Sequence, residues 1–547
     1  MKTIDGLILR TAFLNGEDCL NKNKEIVNSL NVFPVPDGDT GTNMHLTMSS
    51  AIKKIKSVKE IDVATISKAA SDGALMGARG NSGVILSQLL RGFANSLKDK
   101  TVIGTEDLKD AFISAYKLAY KAVMKPTEGT ILTVARFMGE FAERHYKEYE
   151  DIKEFTIDIL KEGRRALDKT PDMLPVLKEA GVVDSGGRGL LFILEGALEQ
   201  KVKYVEAEKE FSIVSDAIVT SHAQLKDEDI KYGYCTEFMI ITNDYDYVKF
   251  REAIEPYGDS IIVVQGDDLI KTHIHTNNPG MILEMAMKIG PLKDMKIENM
   301  RLQHSHLLVK DEEVRASQKD KSDDGNKVLK KYGFVAISSG EGMDELFKQF
   351  GVDELISGGQ TMNPSTEDMI NSINKINAEN IFLFPNNGNI ILAAEQAKEI
   401  SDKNVIVIKT KSVPESFSSL VVFDENLSCD ENESNMISAF KENKVAQVTF
   451  SVRDTTVNGK TIKKGDYIGI ENGEIKVSGK DLNKACIELL KKITDEEDSI
   501  ITVYYGKEID EKSAKDMISK IEKEYADFDV VLQYGGQPIY YYLFSVE

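Results

Sequence analysis

Along the first two hundred residues, apolar side chains recur at helical spacing. Ile85, Leu89 and Phe93 fall every four residues, with Leu86 and Leu90 beside them, which makes one apolar stripe down a helix. Similar patterns predict helices over 106–124, 130–148 and 152–167. The β-branched runs bounded by turn residues that mark strands are missing here. Residues 1–203 therefore read as one all-α domain. Its helices are interrupted by NVFPVPDGDTG, GARGNSG, KPTEG and VVDSGGRG, each richer in Gly, Pro or Asp than a short polar turn requires.

The texture then changes. FMIITND, SIIVVQGDDLIKTHIHT and the helical MILEMAMKIG predict a small α+β domain over 204–309. Residues 310–330 are poor in apolar side chains and read as a linker. Over 331–547, strand-like FVAIS, IFLFP and VIVIK alternate with helical stretches near 342–350, 366–376 and 391–401, which predicts a parallel sheet in an α/β domain. Two Asn-Gly turns between alternating segments then predict a β-meander. The run Tyr540–Tyr542 reads as a terminal core strand.

Length and charge bound the function. A chain of 547 residues suggests three or four domains, and 41% hydrophobic with 29% charged residues suits a soluble, multidomain protein. The net charge of −21 excludes a sequence-independent nucleic-acid binder, which needs a basic surface. No apolar run approaches a membrane span, and the N-terminus lacks a signal-peptide pattern. Cys19, Cys235, Cys429 and Cys486 are far apart with no CxxC pair, which fits a reducing, cytoplasmic setting.

The chemistry concentrates in the interrupting loops. Asp37 and Asp39 stand two residues apart on a loop braced by Pro34 and Pro36 and freed by Gly38. Such a pair can converge on Mg²⁺, which takes oxygen ligands and is commonly shared with substrate phosphates. Thr40, Gly41, Thr42 and Asn43 follow at a predicted helix start, where anions bind well. Gly80, Asn81, Ser82 and Gly83 form a second Gly-rich loop running into a helix, with Arg79 placed to offset phosphate charge. Farther on, His273 and His275 share one face of a predicted strand, and Cys235 could complete a Cys/His/His zinc site. His304 and His306 repeat the spacing as a rival pair.

The four loops, in this order on about 200 helical residues, resemble the nucleotide-binding component of dihydroxyacetone kinase, the DhaL or Dak2 family. The resemblance implies an antiparallel helical barrel whose end loops hold ATP through Mg²⁺. On it, Asp37 and Asp39 are metal ligands, with Asn31 where the family has a third aspartate. Thr40 to Asn43 and the loop around Asn81 and Ser82 meet the phosphates, and Gly129, Thr130, Asp184 and Gly186 lie along the nucleoside.

The whole chain resembles the bacterial FakA-like kinase component of fatty acid kinase, through LNVFPVPDGDTGTNM, GARGNSGVILSQ, VDSGGRG, THIHTNNPG, SGGQTMNPST, PNNGNIILAA and GGQPIYYYLFSVE. In that family a separate DegV-type protein carries a fatty acid whose carboxylate the kinase phosphorylates. The resemblance also supports zinc at Cys235, His273 and His275. The C-terminal domain, with polar loops 358–366 and 386–389 at strand ends, is then expected to dock the carrier. A homodimer is expected as well. The alternatives are a small-molecule kinase of the dihydroxyacetone type and a non-enzymatic nucleotide sensor.

Overall fold

The computed structural model describes residues 1–31, 38–123, 125–199, 232–242, 247–265, 269–299, 329–359, 363–457 and 460–547. Helices fill the N-terminal part: α1 (Gly6–Ser29), α2 (Thr40–Ser57), α3 (Val63–Met76), α4 (Gly80–Ser96), α5 (Thr105–Ala122), α6 (Ile131–His145) and α7 (Ile152–Asp168), then the short α8 (Thr170–Met173) and α9 (Pro175–Ala180), and α10 (Ser185–Leu198). The predicted helices at 106–124, 130–148 and 152–167 lie at α5, α6 with a following 3-10 turn, and α7. One feature escaped the pattern. Strands β1 (Ile4–Asp5) and β2 (Val102–Ile103) pair antiparallel, too short to leave a period. α1 packs on both α2 and α10, which closes the ring of helices around a core that includes Leu20, Met44, Phe155 and Leu191.

The C-terminal part is α/β. Strands β7 (Lys330–Ser338), β8 (Glu354–Ser357), β9 (Ala378–Phe384) and β10 (Asn404–Val407) form a parallel sheet in the order β10-β9-β7-β8. The helices Glu341–Gln349, Thr366–Lys375 and Ile391–Ile400 fall at the predicted stretches. β7 and β9 are apolar at consecutive positions, as strands covered on both faces must be.

The predicted meander divides in two. Its first hairpin, β12 (Thr455–Val457) with β13 (Lys460–Ile462), stands as a separate two-stranded sheet. The second, β14 (Tyr467–Glu471) with β15 (Glu474–Gly479), joins a six-stranded mixed sheet. That sheet runs β15-β14-β11-β18-β16-β17, with β11 at Lys444–Phe450, β16 at Ile500–Tyr505, β17 at Asp529–Tyr534 and β18 at Tyr542–Val546. Tyr542 is fully buried, as expected of a core strand.

The chain separates into two compact units. Residues 1–200 and 328–547 form one, and 201–327 the other. In the second unit, β3 (Tyr234–Ile241), β4 (Gly258–Gln265), β5 (Leu269–Thr276) and β6 (Leu292–Asn299) make an antiparallel sheet in the order β4-β5-β3-β6. Its core holds Phe238, Phe250, Ile254 and Ile274, with helices Tyr247–Ile254 and Pro279–Met287 packed on the sheet.

Candidate functional site

Four helix starts come together at one end of the helical ring. α2 begins behind Asp39, α4 behind Arg79, α6 behind Thr130 and α10 behind Asp184. The Ser185 hydroxyl lies 3.4 Å from Thr40 Oγ1, and the Arg79 N–H meets Thr47 Oγ1 at 3.4 Å. A Cβ on Gly186 would sit 3.2 Å from Ile131 Cβ, so α10 and α6 start side by side. The motifs read as separate loops thus share one end, because each precedes a helix pointing the same way around the ring. Asp37, with Pro34 and Pro36, lies outside the described residues. Asn31 is near Gly38, its Cβ 3.7 Å from where a Cβ on that glycine would stand.

The first N–H groups of a helix have no partner within it and need one from elsewhere. At α10, the Asp184 carboxylate accepts from Gly187 N at 2.7 Å. At α6, Thr130 Oγ1 accepts from Leu132 N at 3.3 Å. At α2 the acceptor is Asn28 of α1, whose Oδ1 takes Gly41 N at 2.8 Å and Thr42 N at 3.2 Å. Asn28, a single polar residue near the end of α1, left no readable signal. It engages two backbone donors expected to meet phosphates. Among the described residues, no side chain caps the first turn of α4, whereas each of the other three starts has a side-chain acceptor. The half-buried dipole end of α4, behind Arg79, is the place of the four best suited to receive an anion.

Gly80 is required at that start. Its φ is +58°, and a Cβ there would lie 2.6 Å from the Asn43 Nδ2. Asn43 is itself buried, so it has little room to yield.

The C-terminal part enters the same place. Asn363 Nδ2 donates to Asp39 Oδ2 at 2.6 Å, and both residues are buried. Arg79 Nη1 donates to the Asn363 carbonyl at 2.7 Å, with Nη2 3.4 Å from Asp368. Asn81 Nδ2 donates to Asn389 Oδ1 at 3.2 Å, and Thr366 N donates to the Ala78 carbonyl at 3.2 Å. Ala78 and Val84 are buried in one apolar cluster with Ile337, Met369 and Ile390. Of the loops 358–366 and 386–389 expected to dock a carrier, Asn363, Thr366 and Asn389 face the helical ring. Residues 360–362 lie outside the described residues.

Two acidic groups complete the electrostatics. Burial pushes the Asp184 carboxyl up to about 6, against the pull of the Gly187 and Ile131 N–H groups. Glu128 is held below its ordinary range: burial opposes this, but Thr133, Arg136 and Tyr120 all bond the carboxylate and prevail. Thr133 Oγ1 donates to Glu128 at 2.6 Å and accepts from Gly129 N at 2.8 Å, so the Gly129–Thr130 turn is fastened internally. For Mg²⁺, the oxygen donors on hand are the Asp39 carboxylate and the Thr40 hydroxyl, a hard set suited to the ion.

In the second unit, the pairing register sets Cys235 opposite His275 and Glu237 opposite His273. The ligand atoms of Cys235, His273 and His275 all lie within 4.8 Å of one another. Cys235 Sγ is 3.9 Å from His273 Nδ1, which also lies 2.9 Å from Glu237 Oε1. His273 Nε2 is buried without a partner among the described residues. One sulfur and two imidazoles with an unsatisfied nitrogen fit zinc. His304 and His306 lie outside the described residues.

Comparison with known proteins bears on the whole chain. Residues 34–199 match the DAK2 domain, 231–307 the middle domain of the FakA-like fatty acid kinase proteins, and 333–547 their C-terminal domain. Protein YloV of Bacillus subtilis is 41% identical over 100% of both chains. An uncharacterized protein of Staphylococcus aureus (strain USA300) is 40% identical over 100% of this chain and 99% of its own. A Streptococcus pneumoniae Fatty Acid Kinase (Fak) B3 protein loaded with linoleic acid is similar over 40% of this chain and 99% of its own, at 13% identity and a TM-score of 0.27. That likeness is too slight to bear on fold or function. Full-length relatives and three domain matches in sequence leave one conclusion: the chain belongs to the FakA-like family of fatty acid kinase proteins.

Proposed function

We propose that this protein is an ATP-dependent kinase that phosphorylates the carboxylate of a fatty acid presented by a separate DegV-type carrier, giving an acyl-phosphate and ADP. The observation that carries the reading is the uncapped start of α4, behind Arg79 and bonded through Asn363 to the buried Asp39. Family membership supports the kinase chemistry. FakA-like proteins are kinase subunits rather than whole enzymes, which supports a second component.

A carboxylate is ionised at neutral pH, so it needs no general base to become a nucleophile. One of its oxygens attacks the γ-phosphorus of ATP, the bond from that phosphorus to the β,γ-bridging oxygen breaks, and ADP leaves. What such a reaction needs is charge compensation and alignment. The first-turn N–H groups of Gly80, Asn81 and Ser82 would receive the phosphate oxygens, with the Arg79 guanidinium beside them. Asp39, with Asp37 and Asn31, would hold Mg²⁺, and Thr40 would add a hydroxyl. Mg²⁺ when bound neutralises charge on the phosphates. Gly129, Thr130, Asp184 and Gly186 would line the nucleoside. We also assign zinc to Cys235, His273 and His275, as a structural ion.

The test is ATP consumption with Mg²⁺ in three mixtures: free oleate, oleate on a DegV-type carrier, and dihydroxyacetone. Turnover restricted to the loaded carrier is the expected result, and Asp39→Ala should lower it by at least a hundredfold while the chain still folds. Turnover on dihydroxyacetone alone, or wild-type turnover by Asp39→Ala, would overturn the assignment.

A further inference from the structure

Asn363 joins the two parts of the first unit between Asp39 and Arg79. It comes from the turn before the helix Thr366–Lys375, more than three hundred residues beyond Asp39 in the chain. It is 1% exposed, its Nδ2 donates to Asp39 Oδ2 at 2.6 Å, and its backbone carbonyl accepts from Arg79 at 2.7 Å. Its Oδ1 is buried and has no hydrogen-bond partner among the described residues. A buried amide oxygen left unpaired is costly, and native structures rarely tolerate it unless something else fills the place. The bond lengths of the amide keep that oxygen within about 5 Å of the Asp39 carboxylate. Asn81 repeats the arrangement: its Nδ2 is bonded to Asn389 while its Oδ1 is buried and unpartnered among the described residues.

A carboxylate with an amide oxygen beside it is an oxygen set for a hydrated divalent cation, which accepts carbonyl ligands and carries waters that can donate. Resting on the kinase reading, we infer that the C-terminal part supplies Asn363 to the cation site. The side chain holds Asp39 through Nδ2 and presents Oδ1 to the cation or to one of its waters. The helical ring would then be an incomplete kinase without the C-terminal part, for a chemical reason rather than only a packing one.

Mn²⁺ with ADP is the probe, followed on the full chain by water-proton relaxation and by the rise in Tm that Mn²⁺ and ADP cause together. Asn363→Ala should weaken Mn²⁺ binding at least about tenfold, the loss expected for one hydrogen bond to a charged group. It should shrink the ligand-induced rise in Tm as well. Asn363→Asp restores an oxygen donor of the same shape and should recover Mn²⁺ affinity. Wild-type Mn²⁺ affinity in Asn363→Ala would overturn the inference, since a loop-packing residue would lower Tm alone. An Asn363→Asp chain as weak as Asn363→Ala would overturn it too. If wild type binds no Mn²⁺ with ADP, the kinase reading itself fails.

Discussion

Single side chains at the helix starts differ in how burial sets their charge, and Asp184 is the clearest case. Unfolded, an aspartate titrates near 3.9, whereas folded Asp184 titrates at about 6. The folded carboxyl holds its proton more tightly. Its contribution to stability is therefore full below about pH 4 and is lost as pH rises through 6. Asp184→Asn keeps an oxygen for Gly187 N and cannot ionise. Relative to wild type it should gain on the order of 2 kcal/mol between pH 4 and pH 7.5. Chemical denaturation of the full chain at both values measures this, and a pH-independent difference would contradict the burial effect. Gly80 offers a second residue-scale test. Gly80→Ala meets both the left-handed backbone and the Asn43 amide, so it should cost about 1–2 kcal/mol and weaken nucleotide binding in a titration with a fluorescent ADP analogue. Unchanged binding would mean the α4 start is not the phosphate site.

At the scale of elements, α4 does two jobs. Its first turn would meet the phosphates in the proposed function, while its side packs against the C-terminal helix Ile391–Ile400. Gln396 of that helix is the polar centre of the contact. Its Nε2 donates to the Leu75 carbonyl at 2.5 Å and to Thr366 Oγ1 at 3.2 Å. Its Oε1 accepts from Gln88 Nε2 at 3.2 Å and lies 3.4 Å from Ser87 Oγ. A leucine there would fill similar space and take away the partner of Gln88 Nε2, Thr366 Oγ1 and the Leu75 carbonyl, while Ser87 keeps its bond to the Val84 carbonyl. Gln396→Leu should destabilise the first unit by about 1–3 kcal/mol. Denaturation midpoints equal to wild type would show the network to be dispensable.

For the molecule as a whole, the two units make separable predictions. The zinc proposed at Cys235, His273 and His275 would lie in the second unit alone. Purified protein should contain stoichiometric zinc by elemental analysis, and Cys235→Ser should lose it. The loss should appear as a lowered unfolding transition, since a structural ion contributes folding energy directly. Metal-free wild-type protein with an unchanged melt would remove the assignment. No described helix is long and apolar enough to cross a membrane.

The helical N-terminal part, the parallel sheet that follows, and the loops around Asp39, Gly80, Thr130 and Asp184 were all legible along the chain. These are local: a 3.6-residue period, a run of buried strand residues, or a glycine before a helix is written in neighbouring positions. The Cys235, His273 and His275 cluster was readable for a similar reason, because alternation put both histidines on one strand face. No sequence spacing shows that Asn28 caps α2, which leaves α4 as the start with no side-chain cap among the described residues. Only the tertiary structure showed that the second Asn-Gly hairpin extends the six-stranded sheet while the first stands apart, since strand partners are chosen by packing and not by the turn. And only it brought Asn363, Asn389 and Gln396 onto the helical ring. Hydrogen bonds between residues three hundred positions apart leave no period and no spacing along the chain. They exist because the buried faces of α4 and of the C-terminal helices have to meet, and the polar groups caught between them have to find partners.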